Sequence, residues 1–182
     1  NTWTCGDPLT YWDYEYATVL IGEQCWFAEN LRTAHFSTGE GLAQFVPDSI
    51  WIDSIEPSVS YDNESITDCG GLLFENAECT IPAIEDYGLL YNGYALSSPL
   101  ALCPSDWHVA EKTEFELLFT WLLEHGWDGA VGLGLFSHEV GFNAQKGGYR
   151  LHNGAFLQTD EFACLWTCLL YTSDAADEKV RG

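Results

Sequence analysis

The segment Leu102-Cys-Pro-Ser-Asp-Trp-His-Val-Ala-Glu-Lys-Thr-Glu-Phe-Glu-Leu-Leu-Phe-Thr-Trp-Leu-Leu123 most constrains what this chain can fold into, because it writes a helix together with its ends. Phe115, Leu118, Phe119 and Leu122 fall at the i, i+3, i+4, i+7 spacing of one helical face, and Leu117 and Trp121 widen the stripe. Thr113 and Glu116 form a capping-box pattern, with Glu111 as an alternative start, and Gly126 after His125 tolerates a left-handed C-cap. A stripe this wide has to be buried, so the remaining residues must supply a core for it.

The chain of 182 residues, 15% of them aromatic, is long enough for one domain with a sizeable core. A net charge of -22 with only 6 Lys and Arg argues against nucleic-acid backbones and anionic membranes, since each phosphate contact needs a cation. Acidic surfaces suit solubility, cations or basic partners. No apolar run reaches the roughly 20 residues that span a bilayer, so no membrane insertion is expected. Met is absent and the first residue is Asn1, so the true start is expected to have been removed by processing or by fragmentary sequencing, and the sequence is silent on a signal peptide. The 7 cysteines include no C-x-x-C pair, which favours disulfides in an oxidising, extracellular or cell-surface compartment over zinc or thiol redox chemistry.

Along the chain, Cys5-Gly-Asp-Pro8 is turn chemistry and Tyr16-Ala-Thr-Val-Leu-Ile21 is β-rich. Gly22-Glu-Gln24 turns the chain into a second strand at Cys25-Trp-Phe27, which sets Cys5 and Cys25 on neighbouring segments. A disulfide between them is expected, the alternative being two buried thiols. Residues 39–86 read as long loops with short strands such as Ser49-Ile-Trp-Ile52. Cys69 and Cys79 are expected to close a local loop there. Asp62, Asn63, Glu64 and Asp68 offer oxygen ligands to calcium but lack the spaced pattern of a dedicated loop, so a solvated acidic loop is the favoured reading and no cofactor is assigned.

The tyrosines of Tyr87-Gly-Leu-Leu-Tyr-Asn-Gly-Tyr-Ala-Leu96 suit a sugar-stacking platform or, as is commoner for aromatics beside Leu, a core. His108 has no second His or Cys at metal-ligand spacing, so it reads as structural and no metal site is assigned. Ala130 to Phe136, apolar and interleaved with Gly, reads as a loop over the core, and its glycines lack the dinucleotide pattern. Arg150 is expected to pair with a buried carboxylate, the alternative being an acidic ligand. Cys168-Leu-Leu-Tyr-Thr-Ser-Asp-Ala-Ala-Asp-Glu178 reads like a translated transposase mosaic-end sequencing adapter, so residues 168–182 are set aside from fold reasoning, with a natural polar tail as the alternative.

Cys103-Pro-Ser-Asp-Trp-His-Val109, with Gly22-Glu-Gln-Cys-Trp-Phe-Ala-Glu-Asn-Leu-Arg-Thr33 and Gly141-Phe-Asn-Ala-Gln-Lys-Gly-Gly-Tyr-Arg150, resembles the Fibrobacter succinogenes major paralogous domain, from about Cys5 to Thr167. The resemblance implies one α+β domain over residues 1–167 with the C-type-lectin-like, formylglycine-generating-enzyme fold: irregular antiparallel strands around one or two helices. It places a short helix in the Tyr87–Leu96 segment and paired strands at Gly141-Phe142 and Gly147–Arg150, the double Gly permitting close backbone approach. It also implies a strand at Leu165-Trp-Thr167 and further strands after it, so the domain is expected to be C-terminally truncated, and a closing cysteine as the partner of Cys103, which is missing here; Cys164 is unassigned. The chain departs from the family's pattern at Asp106, where Gly is usual and a positive φ is expected, at Ala110, where Pro is usual, and at Phe115, where Trp is usual.

For function, the favoured expectation is a non-enzymatic secreted or surface module binding a glycan, a cation or a protein through acidic aromatic loops, with Trp51 and Tyr61 as candidate contacts. The alternatives are an oxidase of the formylglycine-generating type, whose reactive cysteines would lie beyond residue 167, and a structural repeat of a larger surface protein. No catalytic residue is assigned, because no nucleophile, base and orienting group assemble from these motifs and few cations stand by to activate a thiolate. The oligomeric state is not legible.

Overall fold

The computed structural model describes residues 3–44, 46–61 and 82–167. Within them the chain is α+β, built from short strands in small sheets and a few helices. Cys69, Cys79, the candidate calcium ligands at Asp62, Asn63, Glu64 and Asp68, and residues 168–182 lie outside the described residues.

Two antiparallel hairpins open the fold: β1 (Leu9–Tyr11) with β2 (Tyr14–Tyr16), then β3 (Thr18–Ile21) with β4 (Gln24–Phe27) across the turn at Gly22-Glu23. Thr18 Oγ1 accepts from Gly6 N at 2.9 Å and donates to Asp7 O at 2.8 Å, tying the Cys5–Pro8 turn to β3. This brings Cys5 and Cys25 together as the expected disulfide, with Cα atoms 5.9 Å apart. The middle of the chain gives β5 (Ala43–Gln44), α1 (Asp48–Trp51), β6 (Ser58–Ser60), α2 (Pro82–Tyr87), β7 (Leu90–Tyr91) and α3 (Gly93–Ser97). In the sheet β5-β6-β7, β5 runs parallel to β6 and β7 antiparallel to it. Helices α4 (Lys112–Glu124) and α5 (Val131–Phe136) follow, and β8 (Tyr149–Arg150) pairs antiparallel with β9 (Phe156–Leu157).

Helix α4 begins at the alternative start. Glu111 is its N-cap, and Glu111 and Glu114 form the reciprocal capping box in place of Thr113 and Glu116. At its far end Trp127 N donates to Leu122 O at 3.0 Å past Gly126 at φ +93°, the bond of a Schellman close. The buried stripe is narrower than the periodicity implied. Phe115, Leu118 and Leu122 are buried against Ile21, Trp26, Val140, Phe142 and Ala144, and Trp121 packs at the margin. Phe119 and Leu117, at 38% and 61% exposure, look outward, because the hairpin and the 140–144 segment cover only one side of the helix. Trp26 packs its ring on Phe115 and Phe142 at centroid distances of 5.3 and 5.5 Å. A second cluster gathers Phe36, Leu42, Val59, Ala95 and Leu102.

Four expected elements change form. Ser49–Ile52 is not a strand: Pro47 and Asp48 start the short helix α1 there, the fixed φ and first-turn acid outweighing the β-branched residues. Ala130–Phe136 is not a loop but contains α5. A Cβ at Gly134 would stand 2.9 Å from Leu122 Cδ2, so its missing side chain is what lets α5 lie against α4. Gly141-Phe142 forms no strand, and Tyr149–Arg150 pairs with β9 instead. Leu165-Trp-Thr167 is likewise no strand. The double Gly does serve close approach, since a Cβ at Gly148 would fall 2.3 Å from Leu157 O. The short helix expected between Tyr87 and Leu96 is α3, capped by Asn92, whose side chain accepts from Ala95 N.

Candidate functional site

Glu29-Asn-Leu-Arg-Thr33 is a strut between the N-terminal hairpins and the Tyr87–Tyr91 segment. The Glu29 carboxylate accepts from the Tyr14 hydroxyl at 2.7 Å, Ala17 N at 2.9 Å and Arg32 Nη2 at 3.0 Å. Arg32 also lies over the Tyr14 ring, 4.4 Å from its centroid. Asn30 Nδ2 donates to Tyr87 O at 2.7 Å, Leu89 N donates to Leu31 O at 3.0 Å, and the Tyr91 hydroxyl donates to Thr33 O at 2.7 Å. These bonds turn most of the motif's polar groups inward, Arg32 Nε being buried without a hydrogen-bond partner among the described residues.

The tyrosines of this region are held neutral. Burial, against a hydrogen bond from Arg32 N, raises the Tyr16 hydroxyl to about 12. The Tyr87 hydroxyl donates to Asp160, which with burial raises it to about 12 as well. Burial of its hydroxyl moves Tyr91 well above the ordinary tyrosine value. None of the three is poised as a base near neutrality.

Pro104-Ser-Asp-Trp107 is a turn closed by Trp107 N to Pro104 O at 3.0 Å, and Asp106 adopts φ +68°, the positive value expected of a position where Gly is preferred. The turn presents Trp107, which stacks on Phe27 at 4.5 Å and meets Trp3 edge to face at 5.9 Å. Beside it His108 Nε2 contacts Glu114 at 2.9 Å, and the same carboxylate accepts from Glu111 N in the capping box. His108 therefore belongs to the helix start.

Arg150 pairs with a carboxylate, but not a buried one. Its own side chain is 5% exposed while that of Asp48, 2.7 Å away, is 67% exposed. The guanidinium is shared with Val46 O and Gly154 O and lies 4.1 Å over the Trp51 ring. Trp51 Nε1 donates to Leu151 O at 2.8 Å. Trp51 is thus half-buried packing for Arg150, and Tyr61, at 4% exposure, is inside the protein. Of the two candidate contacts, Tyr61 is therefore not exposed, while Trp51 keeps a partly exposed ring held by the Arg150 cluster.

The main concavity is a cleft of about 1360 Å³ bounded by β4, residues 29–31, the Leu89–Tyr94 segment, the Cys103–Ala110 stretch and residues 144–150. Trp3, Trp51, Tyr91, Trp107, Tyr149 and Trp166 all line it. Trp166 enters from the end of the described chain, donating from Nε1 to Tyr91 O at 2.8 Å, with half of its surface exposed. Cys103, buried, and Cys164, exposed, also line the cleft. Sequence reasoning missed Trp3, Trp107 and Trp166 as lining residues, since no local signal separates a cleft tryptophan from a core one. Asn92 was also missed as a brace: Oδ1 accepts from Ser58 N at 3.0 Å and Nδ2 donates to Glu56 O at 2.9 Å. Among the described residues, no three His, Cys, Asp or Glu side chains converge to hold a metal ion, and no helix is long and apolar enough to cross a membrane.

The family model described as Fibrobacter succinogenes major domain matches residues 19–182. No curated protein and no solved structure matches the chain.

Proposed function

The chain belongs to the Fibrobacter succinogenes major domain family, and from that premise we propose that it is a non-enzymatic module of the cell surface or extracellular space that binds a glycan or protein ligand. The reading takes the short antiparallel strands packed on capped helices as a C-type-lectin-like scaffold, and moves the contact surface from the 39–86 loops to the cleft. One observation carries it: a cleft of about 1360 Å³ lined by aromatic side chains, some of them partly exposed, with polar and acidic groups between them. Concave aromatic surfaces of this kind bury ligand area at low entropic cost, and sugar faces or peptide side chains can lie on the rings. The Cys5–Cys25 disulfide supports the extracytoplasmic placement.

The test replaces Trp107 and Trp166 singly by Ala and measures retention on glycan and protein arrays, with circular dichroism as the control for folding. Retention is expected to fall at least about tenfold for one or both variants, the loss of a central aromatic contact. Undiminished retention with an unchanged spectrum sinks the cleft as the binding surface. Trp51→Ala is expected instead to lower stability, because its ring carries Arg150.

A further inference from the structure

The backbone of β4 has one satisfied edge and one open edge. Ala28 N donates to Ala17 O at 2.9 Å, and the register Val19↔Trp26 and Ile21↔Gln24 continues that pairing at every second residue. In an antiparallel ladder hydrogen-bonded pairs alternate with non-bonded ones. The pairs Thr18↔Phe27 and Leu20↔Cys25 are therefore non-bonded, and the N–H and C=O groups of Cys25 and Phe27 turn away from β3. Those groups make no hydrogen bond to any described residue. All of β4, Gln24 to Phe27, lines the cleft.

The same alternation applies at β7. Asn92 N donates to Ser58 O at 3.1 Å, so Val59↔Tyr91 is a non-bonded pair and the Tyr91 main chain turns outward. Its C=O receives Trp166 Nε1, and its N–H has no partner among the described residues. Main-chain polar groups are paired in the great majority of cases, so the outward-turned groups of Cys25, Phe27 and Tyr91 on one cleft point to an occupant that pairs with main chain. Apolar walls at Trp26, Leu89, Phe115 and Phe142 could receive alternate side chains of that occupant.

Charge selects among occupants. Glu29 and Glu114 are engaged by Arg32 and His108, and the guanidinium of Arg150 by Val46, Gly154 and Asp48, which leaves the exposed carboxylates of Glu23 and Asp106 as the charges that line the cleft. We infer that the cleft takes an extended, basic and alternately apolar polypeptide segment from a partner protein, which adds as a strand to the outer edge of β4. This is strand addition to an exposed sheet edge, with main-chain bonds giving affinity and side-chain pockets giving preference. The inference rests on the cleft being the binding surface and names its ligand class.

The probes are a synthetic peptide of alternating Val and Lys, its alternating Val and Glu counterpart, and a Val-Lys peptide N-methylated at every second amide. Binding is followed by tryptophan fluorescence, and amide hydrogen exchange is followed by NMR on the whole chain. The basic peptide is expected to saturate the protein and slow exchange at Cys25 and Phe27, with binding at least about tenfold weaker after methylation or in the acidic version. Equal binding of the methylated and parent peptides means charge attraction alone and overturns the inference, as does absent binding or protection that spares Cys25 and Phe27. If the peptides fail while Trp107→Ala or Trp166→Ala still abolishes array retention, the strand inference falls and the binding reading stands.

Discussion

At the scale of single residues, backbone geometry decides more than side-chain class. Asp106 occupies φ +68° in a turn whose third position favours Gly. A left-handed L-residue costs roughly 1–2 kcal/mol, and the extra freedom of unfolded Gly offsets part of it. Asp106→Gly is therefore expected to stabilise the protein by about 0.5–1 kcal/mol, read from the midpoint of urea unfolding; an unmoved midpoint would mean the turn relaxes without strain. Gly148 presents the opposite case. At φ +61°, with an added Cβ 2.3 Å from Leu157 O, Gly148→Ala combines the left-handed cost with a backbone clash. A loss of roughly 2–4 kcal/mol is expected in the same measurement. The double Gly at 147–148 was legible in the sequence, because a Gly is a local statement about φ or close approach, whereas the positive φ at Asp106 was implied only by the family resemblance. Trp51 and Tyr61 were not legible, since whether a loop aromatic faces water depends on distant residues such as Arg150, a hundred positions away in the chain from the neighbourhood it completes.

At the scale of elements, α4 and α5 carry the argument. Leu122 is 0% exposed and Leu117 is 61% exposed, five residues apart on one helix. Leu122→Ala is expected to cost about 2–5 kcal/mol through the cavity it leaves, and Leu117→Ala no more than about 0.5 kcal/mol. Comparable losses at the two sites, by chemical denaturation, would refute the placement of the buried face. The glycines of α5 separate in the same way. Gly132 has open space around an added Cβ, so Gly132→Ala is expected to stabilise the helix by about 0.5–1 kcal/mol. Gly134→Ala is expected to destabilise it, because Leu122 and Trp127 occupy the space. That pattern is why the sequence of α5 reads as a loop: two glycines lower helix propensity, and only the packed partner reveals that one of them is there for proximity. The helix α4 was legible because periodicity and caps are local, while the width of its stripe was not, because it reflects how much of the helix the hairpin and the 140–144 segment cover.

At the scale of the whole molecule, the Cys5–Cys25 bond and the hydroxyls of Tyr16, held by burial, and Tyr87, held by Asp160, contribute to the stability. Replacing both cysteines by Ser is expected to cost about 2–5 kcal/mol, visible as a lower melting temperature. Tyr16 and Tyr87 hold their protons to about 12 in the folded protein, whereas an unfolded tyrosine loses its proton near 10. Between those values the folded form binds more protons, so the stability from these groups is complete below about pH 10 and is lost as pH approaches about 12. Thermal unfolding followed across that range should decline with Tyr16 and Tyr87 intact and decline less in Tyr87→Phe; an identical decline would exclude Tyr87 as a contributor.

What the sequence determined by itself is what short-range chemistry encodes: the capped helix, the hairpin that brings Cys5 to Cys25, the close approach at Gly148 and the family whose motifs it carries. The tertiary structure alone decided that Glu29–Thr33 is a strut, that Arg150 and not its carboxylate partner is the buried ion, and that aromatics from distant stretches of the chain meet in one cleft. The physical reason is range. Caps, turns and periodicity act over a few residues, while desolvation and packing depend on which distant surfaces the fold brings together.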